Sequence, residues 1–117
     1  MKNKRFENIL QQIVQKLSPK RIYLFGSSAN DSDHPDSDLD LLILLPSNHP
    51  WHKLRRFERY GELLKMIENR SIPLDAIILV EDELETIVQN NEGEWDLILE
   101  ILEKGFLVYA QKEEVPH

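Results

Sequence analysis

Phe6, Ile9, Leu10, Ile13, Val14 and Leu17 recur at three- and four-residue intervals. That period gathers them on one side of a helix, so Lys4–Leu17 is predicted as an amphipathic helix packed on a core. Ser18-Pro19 ends it, because proline disfavours helical geometry in the residue before it. Arg21–Phe25 is short, apolar and rich in β-branched and aromatic residues, the composition of a buried strand. Gly26-Ser27-Ser28 breaks that strand, and residues 30–37 carry the Asp, Ser, Asn and Pro content of a turn. Residues 38–45 then open polar and continue apolar, as a strand does when its body is buried and its end is wet. Trp51, Leu54, Phe57, Leu64 and Ile67 predict a helix over residues 51–69. Leu74–Val80 reads as a further apolar strand, residues 81–91 as a short acidic helix, and residues 94–104 as an amphipathic helix built on Trp95, Ile98, Leu99 and Leu102. Gly105 suits its C-terminal stop, and Phe106–Ala110 is placed as an edge strand or extended tail.

This order of elements predicts an α/β domain: a small mixed β-sheet flanked by helices. A chain of 117 residues is one domain's worth, so residues 1–117 are taken as a single unit with one modest core. Composition narrows its chemistry. The net charge of −7 disfavours a broad nucleic-acid footprint, which needs clustered Lys and Arg. The absence of cysteine removes disulfides and thiolate metal sites. The polar start has no signal-peptide core, and no apolar run approaches the ~20 residues that span a bilayer. The expectation is a cytoplasmic protein with no membrane partner and no long nucleic acid bound.

The polar residues at the predicted strand ends carry the candidate chemistry. Strand alternation points Asp38 and Asp40 to one side, with Cα atoms roughly 6–7 Å apart, while Leu39 and Leu41 face the other way. Carboxylates this close repel unless a cation intervenes, and Mg²⁺ is the natural hard partner for oxygen ligands. Two such ions about 4 Å apart can clamp the attacking and leaving oxygens of a phosphoryl displacement. Asp75 opens the apolar strand Leu74–Val80 and joins the set if that strand lies beside residues 38–45. Gly26 permits a sharp turn and close approach of a ligand, and Ser27 and Ser28 offer hydroxyls and amide groups to an anion. Each piece alone is commonly just a turn or a solvated strand end. Their joint occurrence, with ten residues between Ser27 and Asp38, is the signal.

Leu24-Phe25-Gly26-Ser27, Ser37-Asp38-Leu39-Asp40-Leu41 and the later Asp75 resemble the DNA polymerase β-like nucleotidyltransferase superfamily. Within it, the length and spacing resemble the minimal nucleotidyltransferases that act as antitoxins to HEPN-domain toxins. The resemblance implies the polymerase β-like fold and AMP transfer from ATP, with release of pyrophosphate. The implied acceptor is a tyrosine hydroxyl of a HEPN RNase toxin, with which the chain would form a hetero-oligomer. It also implies that Asp38 and Asp40 bind two Mg²⁺ ions, that Asp75 binds one of them and activates the acceptor, and that Gly26 and Ser27 hold the triphosphate. One departure stands out: family members often carry Ala-Arg-Gly where this chain has Ala29-Asn30-Asp31. A phosphate-binding cation is thereby lost, with Arg21, Lys53, Arg55 or Arg56 as replacements. A non-catalytic antitoxin acting by occlusion, and transfer to a small-molecule acceptor, are the alternatives. An EF-hand starting at Asp31 fails because Asp36 and Leu42 occupy its glycine and glutamate positions. His49 and His52, separated by Pro50 and lacking a third ligand, do not make a zinc site. No Walker A or dinucleotide glycine fingerprint occurs.

Overall fold

The computed structural model describes residues 4–26, 39–68, 73–90 and 96–112. Asp38, Ser27, Ser28 and Trp95 therefore lie outside the described residues, as do Asn30, Asp31 and the rest of the rejected calcium loop up to its last four residues.

Four strands form a mixed sheet in the order β3-β2-β1-β4: β1 is Arg21–Phe25, β2 Leu39–Leu45, β3 Leu74–Val80 and β4 Phe106–Ala110. β1 runs antiparallel to both β2 and β4, whereas β2 and β3 are parallel. A parallel pair needs a crossover, and the helix between β2 and β3 supplies it. The helices are α1 (Lys4–Leu17), α2 (Arg56–Met66), α3 (Glu81–Asn90) and α4 (Asp96–Lys104).

Strand alternation produces two cores. Leu39, Leu41, Ile43 and Leu45 of β2 face α1 and α2, where Phe6, Ile9, Ile13, Leu17, Leu63 and Ile67 cover them. Leu42 and Leu44, with Tyr23 and Leu79, face Ile87 of α3 and Ile98 and Ile101 of α4. β2 is therefore apolar on both sides after Asp40, the sequence signature of a strand covered on both faces.

α1 matches its predicted bounds, and Ser18 closes it at φ 50°, in the left-handed region. The amide of Ser18 still reaches the carbonyl of Val14 at 3.0 Å. The predicted helix over residues 51–69 is corrected. Pro50–Lys53 forms a 3₁₀ turn capped by His49, whose Nδ1 accepts from the Trp51 amide at 3.0 Å. Leu54 and Arg55 are extended, and α2 starts afresh at Arg56, with Glu58 Oε1 accepting from the Arg55 amide at 2.8 Å. The break is tied to α2 because Arg59 donates Nε at 3.0 Å to the Trp51 carbonyl, which also accepts from the Leu54 amide at 3.0 Å. The interruption resets the helical phase: Phe57, expected with the apolar set, is 70% exposed, while Arg59 is buried.

Candidate functional site

The start of β2, the start of β3 and the end of β1 meet at one end of the sheet. Asp40 is the register partner of Asp75 across the parallel pair and of Phe25 across the antiparallel one. Neighbouring strands lie ~4.8 Å apart. In-register residues of a parallel pair share a face, so the two aspartates stand side by side. They lie on the α3/α4 face, at the rim where the apolar layer of Leu42, Tyr23 and Leu79 ends. Leu39 and Leu41 turn into the opposite core, as alternation requires. Asp40 is half-buried and Asp75 exposed. Asp75 Oδ1 accepts from the Ala76 amide at 2.9 Å, which orients the carboxylate and leaves its second oxygen for a ligand.

Gly26 follows β1 at φ 79°, a left-handed conformation that costs side-chain-bearing residues ~1–2 kcal/mol. A Cβ placed there would overlap the Asp40 carboxylate, coming within 3.0 Å of its Cγ and 3.2 Å of its Cβ. Glycine is thus required twice, by the turn and by the carboxylate packed against it. Gly105 is tight for a different reason: a Cβ there would lie 2.6 Å from the Ile101 carbonyl oxygen and 3.1 Å from that of Leu24. This close approach draws the end of α4 onto the last residues of β1.

Asp40, Asp75 and Gly26 are therefore brought together, and the pairing of β3 beside β2 that Asp75 needed is present. Asp38, Ser27 and Ser28, expected in the same place, fall outside the described residues. Among the described residues no group of three or more His, Asp or Glu side chains is placed to share a metal ion. The described donors are the two aspartates, both hard oxygen ligands suited to Mg²⁺.

Of the cations expected to replace the missing arginine, Arg21 lies far from the Gly26 turn, and Arg56 lines a cavity along β3. Arg21 is at the opposite end of β1, about 16 Å from Gly26 at strand rise, with Nη1 3.4 Å from the Tyr23 hydroxyl. Arg56 lines a cavity of about 330 Å³ against the outer edge of β3, with Phe57, Tyr60, Ala76, Ile78 and Leu97. Lys104, which the sequence reading passed over, lines a second cavity of about 340 Å³ with Phe25, Gly26, Leu97, Glu100 and Ile101.

Arg59 was also missed. Its Nη1 donates to the Ile78 carbonyl at 2.8 Å, and its two Nη atoms hold the Glu83 carboxylate at 2.7 and 3.1 Å. Glu83 Oε1 also accepts from the Val80 amide at 3.0 Å, capping α3 at its first turn. Burial alone would raise the Glu83 pKa. The Arg59 hydrogen bond, the Val80 amide and the charges of Arg59 and Arg56 together overcome it and hold that pKa below the usual value. Arg59 shares four-residue spacing with the buried Leu63 and Ile67, the one sequence cue that it sits on an inward face.

A family model described as a nucleotidyltransferase domain matches residues 4–108. No curated protein matches. Among solved structures, a crystal structure of a nucleotidyltransferase candidate from Sulfolobus solfataricus is similar at 21% identity and a TM-score of 0.43, covering 90% of this chain and 94% of that one. The match runs from α1 into β4 and takes in Gly26, Asp38, Asp40 and Asp75, so this chain belongs to the nucleotidyltransferase domain family.

Proposed function

We propose that the chain transfers AMP from ATP to a tyrosine hydroxyl of a HEPN-domain RNase toxin, using two Mg²⁺ ions held by Asp38, Asp40 and Asp75, and so acts as its antitoxin. The observation that carries the transfer chemistry is the in-register pair Asp40 and Asp75, with Gly26 packed on the Asp40 carboxylate. Nucleotidyltransferase domains generally use nucleoside triphosphates and divalent metals. The donor set fits that requirement, because two adjacent carboxylates repel each other and so favour a hard cation between them.

Bound there, divalent cations would offset the charge of the polyphosphate and favour the ionised acceptor. The chain's own residues do the rest. Gly26, with Ser27 and Ser28, receives the phosphates at a turn too tight for a side chain. Asp75 is exposed beside Asp40 and takes the proton from the acceptor hydroxyl. The acceptor oxygen forms a bond to the α-phosphorus, the bond to the β-phosphate oxygen breaks, and pyrophosphate leaves with that electron pair. A protein acceptor is favoured by the cavity lined by Ala76, Ile77 and Ile78, which follow Asp75 in β3, and by Phe57 and Leu97, which are 70% and 49% exposed. The chain's negative charge suits a cationic, RNA-binding partner.

Incubating the protein with labelled ATP, Mg²⁺ and the product of its neighbouring gene should label that product on tyrosine. Asp40→Asn and Asp38→Asn should each abolish the label, and labelling that survives both changes would sink the mechanism. The exposed Phe57 surface also favours occlusion as a second reading. If the Asp40→Asn protein still neutralises its partner at equal stoichiometry, binding alone suffices.

A further inference from the structure

The Leu39 amide donates to the Pro73 carbonyl at 2.9 Å, and β3 runs parallel to β2. Residues 73, 75, 77 and 79 therefore turn their backbone groups to the ladder, while Leu74, Ala76, Ile78 and Val80 turn theirs to the outer edge. Between the Leu74 carbonyl and the Val80 amide, side chains close that edge from both ends. Tyr60 donates to the Leu74 carbonyl, Asp75 accepts from the Ala76 amide, Arg59 donates to the Ile78 carbonyl, and Glu83 accepts from the Val80 amide. What remains is the Ala76 carbonyl and the Ile78 amide, which have no hydrogen-bond partner among the described residues.

This gap coincides with the cavity of about 330 Å³ lined by Ala76, Ile77 and Ile78. Ala76 is 9% and Ile78 1% exposed, so both groups are screened from bulk water, where lacking a partner is costly. One carbonyl and one amide, carried by an extended chain running along β3, satisfy both. Phe57 and Leu97 line the same cavity yet stay largely exposed, and so offer apolar contact to the side chains of such a chain.

We infer that this notch in the β3 edge docks an extended segment of a basic partner protein by strand addition. The inference goes beyond the transfer reading and holds whether or not that partner is also the acceptor. Only two backbone bonds are on offer, so the segment is short and its selectivity lies in the apolar side chains set against Phe57 and Leu97. Charge decides between occupants. A second copy, with its own net charge of −7, is repelled, whereas a basic protein is drawn in. Arg56 is the charged residue among those lining the cavity, so the part of the segment inside the notch is uncharged and its basic residues lie beyond it.

The test uses peptides selected on the full chain from a random-peptide phage library, synthesised, and titrated by fluorescence anisotropy. Neither ATP nor Mg²⁺ is present, so failure here is separate from failure of the labelling experiment. Selected peptides should be basic with an uncharged, apolar centre, and binding should move the Ile78 amide proton downfield in the ¹H–¹⁵N spectrum. Methylating one central peptide nitrogen should weaken binding markedly while leaving the side chains intact. Phe57→Ala and Leu97→Ala, both at exposed positions that spare folding, should each weaken binding about tenfold. A library that yields no binder overturns the proposal, as do peptides that bind while the Ile78 amide stays unmoved. Nitrogen methylation without effect at every position, or both variants within twofold of wild type, overturns it too. Self-association of the chain that shifts the Ile78 amide makes a second copy the occupant and equally overturns it.

Discussion

At Gly26 the requirements of backbone and site coincide. A side chain there must adopt φ 79° and also displace the Asp40 carboxylate, and no rotamer of Asp40 escapes a Cβ that approaches its own Cβ to 3.2 Å. Gly26→Ala should therefore cost about 1–2 kcal/mol of stability from the left-handed backbone alone. By moving Asp40 it should also slow transfer about a hundredfold, since ångström-scale misplacement at a reacting centre has that effect. Chemical denaturation and initial transfer rates check the two parts separately. The aspartate pair has its own signature. Divalent cation bound only by the folded chain stabilises it, by about 2.7 kcal/mol at a hundred times the dissociation constant. Mg²⁺ should thus raise the thermal midpoint of the wild-type protein by several degrees, and Asp40→Asn or Asp75→Asn should blunt the rise. An equal rise in all three proteins would place the ion elsewhere.

Among the elements, β3 has an outer edge that pairs with no strand among the described residues, and neighbouring side chains cover parts of it. The Tyr60 hydroxyl donates to the Leu74 carbonyl at 2.6 Å, Arg59 takes the Ile78 carbonyl, and Glu83 takes the Val80 amide. Arg59 holds α2, α3, β3 and the 3₁₀ turn in one network while buried to 1% exposure. Arg59→Ala should cost about 3 kcal/mol or more, because it leaves the buried Ile78 carbonyl without its guanidinium donor and a partly buried Glu83 carboxylate without its counter-charge. Urea titration measures this. Acid should act on the same network. The Glu83 pKa is held below the usual 4.5, so the unfolded chain binds more protons than the folded one as pH falls through that value. Stability from this pair is complete above pH 4.5 and is lost below it as Glu83 protonates. His49 works in the same direction from a higher pH. Burial is the largest influence on it, and with the charges of Arg59 and His52 it outweighs an opposing hydrogen bond to the Leu17 backbone, so its pKa lies below 6.5. Protonation below that value also takes Nδ1 from the Trp51 amide. Denaturation midpoints should fall from about pH 6.5 downward, and Glu83→Gln should flatten the limb below pH 4.5.

In the whole molecule, one thin sheet separates two apolar layers, and β2 contributes to both. Ile43 faces α1 and α2 with no exposed surface, and Leu42 faces α3 and α4 at 1% exposure. Neither layer survives loss of β2, so unfolding is expected as a single transition. Ile43→Ala and Leu42→Ala should each cost about 2–5 kcal/mol. In both variants, far-ultraviolet ellipticity and aromatic fluorescence should report the same midpoint. Separate midpoints for the two probes would mean that the layers unfold independently.

The sequence by itself determined what depends on local periodicity and local chemistry. The apolar stripe of α1, the strands from Arg21 to Phe25 and from Leu74 to Val80, and the polar start of β2 are all written in spacing that one element satisfies alone. So was the shared side of residues two apart, which sets Asp40 against Leu39 and Leu41. The tertiary structure decided what depends on residues far apart in the chain. The parallel register that sets Asp40 beside Asp75 arises from the docking of β3 on β2. Burial of Arg59 requires Glu83, twenty-four residues away, to offset its desolvation. The break between Lys53 and Arg56 is tied to α2 because that same guanidinium captures a carbonyl from the preceding turn. Lys104 reads in the sequence as an ordinary basic residue at a helix end. Only the packing of Gly105 on the Leu24 carbonyl carries it to the turn at Gly26.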